Sequence, residues 1–152
     1  MIQRIQTVFF FVITILMGSI FFFPYAELLV QNDQIYTFNF NGLFLDGKEG
    51  FYLQTVPPII LLSIITLISF VSIFLYKKRI LQMRINVINL VLMLGYVGLN
   101  YYYIKNFSAQ LNGIISYNFI VIFPFISVIL TYLAIRAVGK DEALIRSLDR
   151  IR

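Results

Sequence analysis

Four stretches of the chain, residues 5–23, 58–76, 85–103 and 116–134, contain no Asp, Glu, Lys or Arg, and nothing else in the sequence limits the fold as strongly. A hydrocarbon layer of about 30 Å takes roughly 20 apolar residues in a helix rising about 1.5 Å per residue. Each stretch meets that length. Only 12% of the 152 residues are charged, 60% are hydrophobic and the mean hydropathy is +0.86, whereas an ordinary soluble domain carries roughly 25% charged residues. The expected architecture is an all-α membrane protein, a single four-helix transmembrane domain over 1–152 with lipid as its main solvent. The first stretch follows Arg4 as a secretory leader would. It exceeds the roughly 7 to 15 residue core of such leaders, and no small-x-small cleavage pattern follows at 22–26, so it is expected to stay as an anchor.

Orientation follows from the basic residues. Ten of the twelve Lys and Arg lie beyond the same ends of the four stretches, among them Arg4, the cluster Lys77, Lys78, Arg79 and Arg84, and Arg136 onward; Lys48 and Lys105 lie on the other side. Basic loops near span ends resist translocation, which predicts that Lys77, Lys78, Arg79 and Arg84 determine topology and that both ends face the cytoplasm. The chain is basic overall, at +5. Those charges sit beside span ends, where topology accounts for them, so no nucleic-acid partner is expected.

The residues that are missing narrow the chemistry. With no Cys and no His there is no thiolate or imidazole for nucleophilic, acid–base or zinc chemistry. The acids lie in the loops and the tail without a partner set, and Glu27 reads as a solvated loop carboxylate. The expectation is no enzyme, no cofactor and no metal. No stretch holds an ionisable residue, which argues against an ion or proton path. Backbone carbonyls near Pro124 leave a narrower version of that reading open.

The loop 24–57 changes pattern. Residues 35–40 alternate large aromatics with smaller residues, as a strand does, and Asn41-Gly42 offers the positive-φ pair of a tight turn before Leu43 to Leu45 returns, with Asp46-Gly47 as the next turn. This predicts a short β-hairpin outside the membrane. Tyr36, Phe38 and Phe40 either cover the helix ends as a lid or form the partner-binding face for another membrane protein subunit. The second outer loop, 105–113, carries no site signal. Beyond the fourth stretch, Gly139 is expected to break the chain before an amphipathic helix over 140–152, apolar at Leu144, Leu148 and Ile151.

Helix packing is expected from Ser63, Thr66, Ser69 and Ser72 in the second stretch and from Asn86, Asn89, Gly95 and Gly98 in the third, because small and amide side chains allow close approach in lipid. A groove for a solute or lipid between these two helices is the alternative.

The segments MIQRIQTVFFF at 1–11, KKRILQMR at 77–84 and YLAIRAVGKDEALIRSLDRIR at 132–152 resemble, end to end, an uncharacterised bacterial family of small four-span membrane proteins known as a domain of unknown function. Members commonly carry a tryptophan ahead of the proline opening the second span; here Val56 precedes Pro57-Pro58. The resemblance implies a bacterial inner membrane and supplies no active site. Two functions follow as expectations: a non-catalytic accessory or assembly subunit of a larger inner-membrane complex, or a small transporter or lipid-handling protein.

Overall fold

The computed structural model describes residues 3–30, 34–45 and 51–149. It is mostly helical, with helices α1 (Gln3–Ser19), α2 (Val56–Phe74), α3 (Arg79–Leu111) and α4 (Ile122–Asp149). α1 packs on α2 and α4, and α3 packs on the same two, so the four close into a ring. α2, α3 and the segment 119–143 are long and apolar enough to cross a membrane. α1 is shorter. At about 1.5 Å per residue its 17 residues give roughly 25 Å, and the apolar run continues past the helix as turns closed by Phe21 N–H to Gly18 O (3.2 Å) and Phe22 N–H to Ser19 O (3.0 Å). Pro24 then lacks the N–H that would extend it.

Local chemistry explains the other ends. α2 begins with prolines in its first turn, where their missing N–H groups cost nothing. A single 3₁₀ turn, Leu75–Lys77, joins it to α3. α3 stops at Asn112, which takes the left-handed conformation (φ 49°) that asparagine tolerates at a C-cap. The Ser108 hydroxyl closes the turn by donating to Gly113 O at 2.7 Å.

A five-stranded antiparallel sheet sits at the ends of α1 and α3. Its strands are β1 (Ala26–Val30), β2 (Gln34–Asn39), β3 (Gly42–Leu45), β4 (Phe51–Gln54) and β5 (Ile114–Tyr117), in the order β4-β3-β2-β1-β5. β1 to β4 form a meander between α1 and α2. β5 comes from the α3–α4 connection and pairs with β1, Ala26 opposite Tyr117 and Leu29 opposite Ile114.

Several expectations change. The hairpin over 35–45 is present, but Asn39 pairs with Gly42, so its two-residue connection is Phe40-Asn41. Gly42 (φ 140°) alone carries positive φ there. The Asp46-Gly47 turn lies outside the described residues. The stretch from 116 is not helical at its start: 114–117 is strand, and α4 begins at Ile122. Pro124, in the first turn of α4, opens nothing. The loop 105–113 is mostly α3. Gly139 does not break the chain, since α4 runs through it to Asp149. The side chains of 144–152, and with them the apolar face expected on the tail, lie outside the described residues.

Candidate functional site

The helices are apolar outward and partly polar inward. Phe11, Leu67, Phe70, Val91 and Ile129 are exposed. On α3 the buried positions are Gln82, Asn86, Asn89, Met93, Tyr96, Asn100, Ile104 and Phe107, spaced three or four apart so that they share one face. That face meets hydroxyls from α2. Asn89 Nδ2 donates to Ser69 Oγ (2.9 Å), the Ser72 hydroxyl donates to Asn86 Oδ1 (3.2 Å), and Gln82 Nε2 donates to Ser72 O (2.8 Å). From α4, the Thr131 hydroxyl reaches both Ser127 O (2.7 Å) and Met93 Sδ (3.6 Å). At the end where α1 begins, Gln6 Nε2 donates to Asp141 Oδ2 (2.6 Å), a buried bond between α1 and α4. Asp141 is the one buried charged side chain among the described residues.

The packing residues named from the sequence separate here. Asn89 lies between α2 and α3, and Thr66 is half-buried, its hydroxyl bonded within its own helix to Leu62 O. Ser63, Gly95 and Gly98 are exposed. A Cβ added at Gly95 or Gly98 would meet nothing within 4 Å, so no helix approaches there. Of the topology cluster, Lys78 and Arg84 are exposed and Arg79 is half-buried; the Lys77 side chain lies outside the described residues.

The sheet's inner face is aromatic and closes the opposite end of the ring. Phe38 is fully buried, with ring centres 5.8 Å from Phe107 and 6.5 Å from Tyr25, and Tyr25 meets Tyr96 edge-on at 6.4 Å. Burial, with nearby Tyr117 as the smaller cause, pushes the Tyr25 phenol above the ordinary tyrosine range. Tyr36 is buried and Phe40 is half-buried against Phe21 (5.1 Å). The expectation that Tyr36, Phe38 and Phe40 present a face to a partner therefore needs correcting. Their alternation points them at the helices, as a lid, because that is where apolar surface was available to cover.

β5 is one of the two edges of the sheet, with Ile114 75% and Tyr117 50% exposed. Asn118 N–H bonds to Tyr25 O (3.2 Å). By the alternation of an antiparallel ladder, the N–H and C=O of 115 and 117 then point away from β1. Beneath β5, between α3 and α4, a cavity of about 240 Å³ is lined by Tyr25, Val97, Tyr101, Ile104, Tyr117, Val121 and Phe125. Lys105 Nζ lies 5.2 Å over the ring of Tyr101, one of the lining residues.

Sequence reasoning passed over β1, β4, β5, Gln82, Tyr96, Asn100 and Gln6. The polar positions on α3 were detectable as a spacing of four and three once Asn86 and Asn89 were extended in both directions. Among the described residues no group of three or more His, Cys, Asp or Glu is placed to hold a metal.

No curated protein matches the chain. Residues 2–151, nearly the whole length, match the family described as Domain of unknown function (DUF4293), and the chain belongs to that family.

Proposed function

We propose that this protein is a non-catalytic accessory or assembly subunit of a larger complex in the bacterial inner membrane. It would cross four times, with the basic 77–84 turn and the end of α4 in the cytoplasm and the sheet outside. The apolar outward surface suits helices solvated by lipid, and the basic asymmetry sets the orientation. β5, one of the two end strands of the sheet, carries the reading, because Ile114 and Tyr117 on it are well exposed. A strand with outward-pointing backbone groups and exposed Ile114 is a template on which another chain can add a strand. Tyr36, Phe38 and Phe40 contribute by holding the sheet in place rather than by touching the partner.

The test is purification in a gentle detergent with and without Ile114→Lys combined with Ser116→Lys. Both side chains are exposed, and charged residues on an edge oppose strand addition. A stoichiometric partner should co-purify with the wild type and be lost from the variant, with membrane insertion unchanged. Retention of the partner at wild-type stoichiometry would rule out the β5 edge as the contact.

A lipid-handling role is the second reading, favoured by the cavity under β5. Its lining of Val97, Ile104, Val121 and Phe125 with three tyrosines suits an acyl chain better than a polar solute. Mass spectrometry of the purified protein separates the readings: one retained lipid species and no protein partner would favour this one.

A further inference from the structure

The cavity between α3 and α4 is apolar toward the middle of the helices and gains polar groups at the sheet end. Val97, Tyr101 and Lys105 follow one another at intervals of four and so form one line along α3; Val121 and Phe125 do the same on the α4 side of the cavity. From Val97 to Lys105 that line rises roughly 12 Å, at about 1.5 Å per residue. Tyr25 and Ile104 are buried, whereas the lining residues Tyr101, Tyr117 and Phe125 are each about half exposed. The cavity therefore opens sideways, onto the outer surface that also carries exposed Ile129. Its volume of about 240 Å³ falls below the roughly 300–1,000 Å³ of a pocket that encloses a whole small molecule. It has room for one stretch of a chain.

Lys105 brings a positive charge with no acid beside it. The side chain is exposed, and the groups close enough to act on it are the phenols of Tyr101 and Tyr117, not a carboxylate. It falls two positions past the apolar stretch that ends at Tyr103, at the depth where aromatic side chains meet lipid headgroups. Its stem can lie along apolar surface while the ammonium stays in the headgroup layer. We propose that the cavity binds an anionic phospholipid, with part of one acyl chain between Val97 and Phe125 and the phosphate on Lys105. Tyrosines 101 and 117 suit this boundary, since each joins an apolar ring to a polar tip. The acyl chain supplies contact without selection, because all phospholipids share it. Selection comes from the headgroup: an anionic one answers the unpaired ammonium, whereas a zwitterionic one carries an amine of its own that competes for the phosphate. This rests on the lipid-handling reading of the cavity and adds the class of lipid.

The chain has no tryptophan, so a single introduced one is a local fluorescent reporter. Ile129→Trp puts it on exposed α4 surface one turn beyond Phe125 and leaves the cavity lining intact. Phe70→Trp, in a separate preparation, puts it on exposed α2 surface as a reference. Each protein is placed in phosphatidylcholine nanodiscs at physiological ionic strength, with phosphatidylglycerol or phosphatidylethanolamine bearing brominated chains as the quencher. At position 129, phosphatidylglycerol should quench at about fivefold lower mole fraction than phosphatidylethanolamine, the gain that one basic residue near anionic lipid provides. At position 70 the two should be equal. Adding Lys105→Gln to Ile129→Trp should equalise them at 129 as well. Equal quenching by both lipids at 129 with Lys105 in place would overturn the anionic class and leave the lipid reading standing. A preference that survives Lys105→Gln, or that is as large at 70, would overturn it too. If neither lipid quenches at 129 while both quench at 70, protein rather than lipid covers the groove, and the lipid reading falls with the inference.

Discussion

Gly42 and Gly98 show how differently two glycines can be constrained in one chain. At Gly42 the backbone has φ 140°, and a Cβ there would sit on the Leu53 carbonyl oxygen of β4. Both the conformation and the contact exclude a side chain. Such backbone positions cost other residues about 1–3 kcal/mol each, so Gly42→Ala should lower lid stability by at least about 2 kcal/mol, read as faster proteolysis of the 34–54 region in detergent. Gly98 stands in open space. Gly98→Leu is therefore expected to stay within about 0.5 kcal/mol of wild type in a thermal unfolding series, as surface substitutions do. Equal losses at the two sites would refute this assignment. The sequence alone suggested the reverse emphasis, because a glycine inside an apolar stretch signals close helix approach only if it lies on the inward face, and that face is set by the other helices.

At the scale of elements, the helices were legible as apolar runs, but their ends were not. The 20-residue rule measures a hydrocarbon layer rather than a helix, so it stopped at Tyr103, whereas α3 continues through Lys105 to Leu111. β2 and β3 were visible because Tyr36, Phe38 and Phe40 alternate with polar residues. β5 was not. Its sequence IISY adjoins an apolar helix, and a short apolar run has no period to separate strand from helix. β1, AELLV, lacks clean alternation for the same reason: Leu28 is buried under the lid while Leu29 is exposed. Gly139 misled in the opposite sense, since glycine lowers helix propensity by about 1 kcal/mol against alanine without forbidding a helix. A Cβ at that position would have only the Met83 methyl at 4.0 Å. Gly139→Ala should thus stabilise α4 by up to about 1 kcal/mol, seen as slower backbone hydrogen exchange over 135–149. Faster exchange would mean that α4 needs to bend there.

For the molecule as a whole, the sheet and the basic turn stand at opposite ends of the helix ring, which makes the orientation directly measurable. The chain has no native cysteine, so single cysteines at exposed Gln34 and exposed Lys140 give clean signals. An impermeant maleimide added to intact spheroplasts should label the first and spare the second until the membrane is opened; the converse pattern would invert the proposed topology. The pairing of β5 with β1 has a further consequence, in time rather than in space. The two strands are about ninety residues apart, and at a synthesis rate of roughly 5–20 residues per second β1 waits some seconds for its neighbour. During that interval the β1 flank of the four-stranded meander stays open, and the nascent chain is a competitor for its own edge. Any strand-bearing protein present early could occupy the place of β5 and hold the half-made molecule, so the order in which chains emerge would decide which assembly forms.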